Sequence, residues 1–317
     1  APRQHAANDA KNGEILMIHH DTQQQRATAG SRIPAVITGR LPAAAAVIAL
    51  AILMASAREA PAPPPPPERI HRIVSLSPSI TRQLVDLGAG GLVAGVTGYD
   101  TTLGRNVPVV GSLIQPDMEA IIALQPDIIL LSEEDNSTQI TERINATGIP
   151  AHTFSRNANF NAIGNNFIEL GRLVGREALA AEKLAAYRRR LASIAKPAMR
   201  PRVALFVSHN PLIAAAGASF VGTIIEAAGG ENIFGAFDIP YPIVSSEYLV
   251  TLNPDIIISI IPAPDRYFIE TLRKFTHITA IRRGAVYHID PDMIGLYSPD
   301  MFLKSTELIR SMLRNAD

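Results

Sequence analysis

The chain contains no cysteine, and that absence removes disulfides, thiolate metal sites, cysteine nucleophiles and the lipid-bearing cysteine of a lipoprotein signal. It also lacks any surplus of positive charge, since 29 Lys plus Arg balance 29 Asp plus Glu. Counterion release on nucleic acid requires such a surplus, so nucleic acid is set aside as a partner. Charge of either sign is sparse, 18% against 47% apolar residues over 317 positions. That balance points to a globular protein that can bury a sizeable core and has room for two lobes.

Enzyme motifs fail individually. Gly88-x-Gly90-Gly91 lacks the dinucleotide spacing and follows a helical stretch instead of a strand. Gly217 to Gly222 is one residue too long for a nucleophile elbow. Asp290 and Asp292 alternate on a strand-end turn, the pattern of a solvated loop. His71, His152, His209, His277 and His288 are dispersed, with no His-rich loop that would converge on a bare zinc or manganese ion. We therefore expect no catalytic residue, no metal site, no cofactor and no enzyme. An exported α/β enzyme and a membrane-tethered sensor ectodomain are the alternative classes.

The first 68 residues read as address and tether. Leu41 to Ala57 is an apolar run preceded by Arg32 and Arg40 and ending in the small-x-small triplet Ala55-Ser56-Ala57, the pattern of a signal peptide cleaved after Ala57. It is short of the roughly 20 residues a span uses, yet long enough to leave an uncleaved membrane anchor open. Residues 1–40 are polar and aperiodic, and the first Met is Met17; a disordered or non-native extension is expected there. Residues 58–68 hold Pro61 and Pro63 to Pro67, a polyproline linker that stands as a semi-rigid stalk.

From Arg69 onward, short β-branched runs alternate with helical stretches. Ile73 to Leu76, Leu92 to Val96, Ile128 to Leu131 and Ala151 to Phe154 read as strands, with helices over Thr81 to Leu87 and Met118 to Leu124. This is the signature of mostly parallel α/β sheets. Phe160, Ile163, Phe167, Leu170 and Val174, then Leu184, Tyr187 and Leu191, predict one long helix over Asn157 to Ile194. Strands resume at Arg202 to Val207, Ile256 to Ile260 and Ala285 to His288. The expected organisation is an N-terminal α/β lobe over 69–156, a bridging helix over 157–196 and a C-terminal α/β lobe over 197–317.

An internal repeat joins the halves. Glu119 to Leu124, Pro126, Asp127 and Ile128-Ile129 have the same spacing as Glu247 to Leu252, Pro254, Asp255 and Ile256-Ile257. Each copy marks a helix, a Pro-Asp stop and a buried strand. A second pair agrees: Ser79-Ile80 leads through a helix to Leu87-Gly88, and Ser219-Phe220 to Ala228-Gly229. A duplicated βα unit is the simplest account.

These segments, with Arg72 to Ser79, Val110-Gly111-Ser112 and Gly229 to Phe234, resemble the periplasmic solute-binding proteins of cobalamin, haem and ferric-siderophore ABC importers, from about Arg69 to the C-terminus. The resemblance implies two α/β lobes bridged by a single long α-helix, a ligand cleft between the lobes, and a monomer that docks an ABC permease dimer in the inner membrane. It further implies that Glu119 and Glu247, equivalent in the two lobes, are the docking residues; helix capping is their structural alternative. The implied location is the periplasm. Arg82 stands where the family often has Glu, a position expected to be structural.

Ligands in open α/β sheets sit beyond the carboxyl ends of the strands. That rule nominates Ser77, Tyr99, Ser112, Leu113, Ser132 and Glu133 in the first lobe, and His209 to Ile213, Tyr241, Asp292 and Tyr297 in the second. Tyr99 and Tyr241 resemble positions where cobalamin binders of the family place aromatic side chains, which suits a large uncharged macrocycle. Haem binders carry an iron-ligating Tyr where Ser112 stands; His209, Tyr99 or Tyr297 could substitute. Anionic siderophores call for convergent cations, and the cleft loops offer only Arg105, Arg156 and Arg266 as scattered candidates. A corrinoid is the expected transported ligand, with haem or a near-neutral ferric hydroxamate as alternatives.

Overall fold

A computed structural model describes residues 69–261, 268, 270, 272 and 274–314. The expected extension, apolar run and stalk of residues 1–68, together with Arg266 and the side chain of Arg105, lie outside the described residues.

Two mostly parallel sheets organise these residues. The first has four strands in the order β2-β1-β3-β4, with β1 Ile73–Ser75, β2 Val93–Val96, β3 Ile128–Ser132 and β4 Ala151–Phe154. The second has five, β6-β5-β8-β9 with β7 also on β5. Here β5 is Arg202–His209, β6 Leu212–Ala214, β7 Glu231–Asn232, β8 Ile256–Ser259 and β9 Val286–His288. Both sheets are covered on both faces, which is why their central strands are continuously apolar. Ile73, Ile128 and Leu130 enter one core while Val74, Ile129 and Leu131 enter another. In the second lobe Val203, Leu205, Ile256 and Ile258 face one core, and Ala204, Phe206 and Ile257 face the other. Each strand therefore splits with period two between two cores. One strand departs from the parallel pattern: β6, which overlaps the end of the segment nominated as His209 to Ile213, folds back antiparallel on β5.

The repeat is visible in atomic detail. Helix α1 (Pro78–Asp86) follows β1, helix α2 (Met118–Ala123) precedes β3, and helix α3 (Thr138–Asn145) follows it. Between α2 and β3, Gln125 takes φ 45°, and at the equivalent place Asn253 takes φ 44°. Asp127 and Asp255 then play one role. The Asp127 amide donates to the Arg72 carbonyl at 2.9 Å and the Asp255 amide to that of Arg202 at 2.8 Å. The Asp127 carboxylate accepts the amides of His71 (2.7 Å) and Arg72 (2.9 Å), and that of Asp255 accepts the Arg202 amide (2.9 Å). A carboxylate thus holds the start of a central strand in both lobes.

The bridging segment corrects the expectation of one helix over Asn157 to Ile194. Two helices stand there, α4 (Phe160–Leu173) and α5 (Glu177–Ala192). Gly175, at φ +67°, supplies the left-handed residue that ends α4. The helices pack closely because small residues meet: a Cβ added to Gly171 would lie 2.6 Å from Ala180 Cβ, and one added to Gly164 3.1 Å from Leu184. Both helices serve both lobes. Ile163 of α4 joins a core of the second lobe while Phe167 and Leu170 join one of the first. Ala180 and Leu184 of α5 lie in that first-lobe core, and Leu191 packs on the second. The bridge is a helical hairpin.

The second lobe continues with α6 (Phe220–Ala227), α7 (Ser246–Leu252), α8 (Thr279–Arg283) and α9 (Pro299–Arg314). Helices α1 and α6 each stop at a left-handed glycine, Gly88 at φ +68° and Gly229 at φ +92°. No helix among the described residues is long and apolar enough to cross a membrane.

Candidate functional site

The carboxyl ends of β1 and β3 carry the polar face of the first lobe. Ser77 follows β1 and donates its hydroxyl to the Asp135 carboxylate. Ser132 ends β3 and begins the loop Ser132-Glu133-Glu134-Asp135-Asn136, folded on itself by the Ser132 amide donating to Asn136 Oδ1 at 3.0 Å. Burial pushes the Asp135 carboxyl above its ordinary value, against the lowering effect of the Ser77 hydroxyl. Glu133 and Glu134 accept the amides of Arg156 (3.1 Å) and Asn157 (3.0 Å), and Arg156 Nη1 lies 3.7 Å from Glu134 Oε2. A hollow of about 820 Å³ opens over this acidic loop, bounded by Glu133, Glu134, Thr138, Thr141 and Arg156 among others.

Tyrosines of the second lobe face that loop. The phenols of Tyr241 and Tyr297 lie near enough to influence each other's ionisation. The Tyr297 phenol is raised far above its ordinary value, first by burial and then by the charges of Tyr241, Glu134 and Asp135. Burial also raises the Tyr241 phenol, with Glu134 adding to it, although 41% of that residue stays exposed. Both phenols are therefore neutral at physiological pH. The Tyr297 ring leans on Phe220 at 4.6 Å between centroids, which ties it to the second-lobe core.

The other nominated residues are spread more widely. Tyr99 stands on the turn after β2 and is 73% exposed. Ser112 and Leu113 lie in a tight turn in which the Ser112 hydroxyl accepts the Gln115 amide at 3.1 Å. His209, at the end of β5, borders a small apolar hollow with Leu212, Leu249 and Phe275, on the side facing α7. Ile213 belongs to β6 and is bridged to Ile243. Asp292 is exposed in a turn capped by Asp290, whose carboxylate accepts its amide at 3.0 Å. The structure thus brings Ser77, Ser132, Glu133, Tyr241 and Tyr297 together with Glu134 and Asp135. Those last two were not nominated; the signal for them was a run of three acids directly after a buried strand.

Glu119 and Glu247 occupy the second position of α2 and α7, and both are exposed. The capping bonds of these helices come from elsewhere, Asp117 to the Ala120 amide and Ser245 to the Tyr248 amide. The Glu247 carboxyl is held below its ordinary value by its own backbone amide and the Ser245 hydroxyl. Arg82 is structural, as expected: it pairs with Asp300 of the second lobe.

A family model described as periplasmic binding protein matches residues 73–293. A cobalamin-binding protein of Halobacterium salinarum is 32% identical over 201 residues, 59% of this chain and 53% of the relative, so the chain spans about half the length of that relative. Among solved structures, the periplasmic vitamin B12 binding protein of Vibrio cholerae superposes with a TM-score of 0.66 at 21% identity, covering 78% of this chain and 98% of that one. A periplasmic heme-binding protein of Roseiflexus sp. RS-1 superposes with a TM-score of 0.68 at 20% identity over 78% and 99% of the two chains. The fold is common to binders of both ligands.

Proposed function

Because the chain belongs to the periplasmic binding protein family, matched over residues 73–293, we propose that it is the substrate-binding component of an ABC importer and that its ligand is a corrinoid of the cobalamin class. The observation that carries the ligand class is the proximity, across the two lobes, of neutral Tyr241 and Tyr297 to the acidic loop Glu133 to Asp135. A corrinoid presents a large flat macrocycle for the aromatic rings and a rim of carboxamides whose N–H groups donate to carboxylates. Haem carries two propionates and a ferric catecholate several negative charges. Either would set anions against Glu133 and Glu134, with Arg156 as the cation at that loop. The name of the Halobacterium relative supports the same class.

Delivery follows from the exposed carboxylates. Glu119 and Glu247 present one negative charge from the same place on each lobe, which suits a permease of two like subunits. Capture takes place in the periplasm after export.

Titration of the whole protein with cyanocobalamin, haemin and a ferric hydroxamate, followed by tyrosine fluorescence and ligand absorbance, tests the ligand. A single site with cyanocobalamin bound tightest is expected, and Tyr241→Ala and Tyr297→Ala should each weaken it at least about tenfold, the scale of one buried aromatic contact. Binding of haemin alone, with a Soret shift, would remove the corrinoid reading.

A further inference from the structure

Helix α1 of the first lobe grips the very segment of the second lobe that carries Tyr297. The Tyr297 amide donates to Ser79 Oγ at 3.0 Å, and Gln83 Nε2 donates to the Tyr297 carbonyl at 2.8 Å. Both backbone polar groups of the tyrosine are thus held by one helix. One turn on, Arg82 pairs with Asp300, whose other oxygen accepts the Ser298 hydroxyl at 2.7 Å. Burial raises the Asp300 carboxyl, but the bonds from Arg82 and Ser298 outweigh it and hold the group below its ordinary value. Ser79, Gln83 and Asp300 are 4%, 3% and 6% exposed, so water cannot readily replace these partners. The far end of α1 is anchored as well: Asp86 accepts Lys183 Nζ and the Tyr187 phenol, both at 2.8 Å, from α5 of the bridge.

We propose that Ser79, Arg82 and Gln83 form an interlobe latch that fixes the angle between the lobes in the free protein and positions Tyr297 for ligand. None of the three has to touch ligand. Opening the cleft about the bridge would pull α1 from the 297–300 segment and strand several buried polar groups at once, so the free protein waits with its site assembled. Pre-assembly improves binding by lowering the ordering that ligand must impose. The ligand part of this role rests on the corrinoid reading; the mechanical part does not.

The test uses both. Spin labels on cysteines introduced at Glu142 and Asp238, exposed positions of the two lobes in a cysteine-free chain, report the interlobe distance. The latched protein should give one narrow distribution that cyanocobalamin barely moves. Ser79→Ala and Gln83→Met should each broaden it, and the pair should broaden it further and slow cyanocobalamin association about tenfold. Ser79→Thr, which keeps the hydroxyl, should restore the narrow distribution. An unchanged distribution in the folded double variant overturns the latch, and if that variant does not fold, unchanged distributions in both single variants do so. Failure of the unsubstituted protein to bind cyanocobalamin would instead remove the ligand class, and the label distances would still judge the latch.

Discussion

The two lobes share one scaffold and differ in what they bring to the cleft. In the first, the carboxyl ends of a purely parallel sheet give way to Ser77 and the acidic loop Glu133 to Asp135. In the second, an added antiparallel strand and the segments after it supply Tyr241 and Tyr297. The shared parts, a helix, a left-handed residue, a Pro-Asp stop and a doubly covered strand, lie at the amino edge and within the sheets. A duplicated unit therefore accounts for the frame, and the lobes diverge at the strand ends, where the candidate site lies. There the first lobe offers charge and hydrogen-bond acceptors and the second neutral aromatic surface.

The largest expected effect breaks the symmetry where the lobes are most alike. If Glu119 and Glu247 dock two like permease subunits, Glu119→Ala and Glu247→Ala should each reduce uptake of labelled cyanocobalamin in whole cells, and the double variant should nearly abolish it. Ligand affinity and melting temperature should stay unchanged, because the capping bonds come from Asp117 and Ser245. A double variant that unfolds or loses ligand would make the two residues structural caps.

Next comes the carboxylate clamp, where the lobes differ in degree. Asp127 holds two amides and Asp255 one. With hydrogen bonds to a charged group contributing about 1.5–3 kcal/mol when shielded and less when partly exposed, Asp127→Ala should cost about 2 kcal/mol and Asp255→Ala about 1 kcal/mol in urea unfolding. The pH dependence has a definite sign for Asp127. Its carboxyl is lowered from the ordinary 3.8 by the His71 and Arg72 amides, so its contribution is present above that value and is lost as pH falls through the lower folded value. The gap between the unsubstituted protein and Asp127→Ala should close in acid, and a gap that widens there would contradict the clamp.

These comparisons also mark what the sequence could reveal. Strands such as Ile128 to Leu131 and Ile256 to Ile258 announce themselves because a doubly covered parallel strand must be apolar at every position. The Leu-x-Pro-Asp units were legible because their signals are local and occur twice. The break in the bridge was not, since a lone glycine within a helical pattern is either tolerated or terminal, and only packing decides. At Gly175 the apposition of Gly171 with Ala180 decides for a hairpin. The strand-end rule nominated Ser77, Ser132, Tyr241 and Tyr297 but could not rank them against Tyr99 or His209, because which loops converge depends on how the lobes meet. The latch was beyond reach altogether: Gln83 and Arg82 find partners 214 and 218 residues away, and no periodicity encodes such a contact.

The smallest effect is the sharpest contrast, because the same substitution should act with opposite signs on equivalent residues. Gln125 and Asn253 both adopt a left-handed backbone just before a proline. For a long side chain that conformation costs roughly 1–2 kcal/mol, whereas asparagine tolerates it better. Glycine removes the strain but loses roughly 0.5–1 kcal/mol through the freedom it gains in the unfolded chain. Gln125 makes its turn without a side-chain hydrogen bond to another described residue, so Gln125→Gly should stabilise the protein by about 0.5 kcal/mol. Asn253 has less strain to relieve and its Oδ1 accepts the Thr279 amide at 2.8 Å, which fixes the start of α8. Asn253→Gly would leave that amide without its partner, a loss of about 1 kcal/mol, and should destabilise by nearly that amount. Thermal melts of the two single variants against the unsubstituted protein read the signs directly. If both variants are stabilised, the Thr279 contact contributes nothing measurable; if both are destabilised, the left-handed backbone at Gln125 carries less strain than glycine costs.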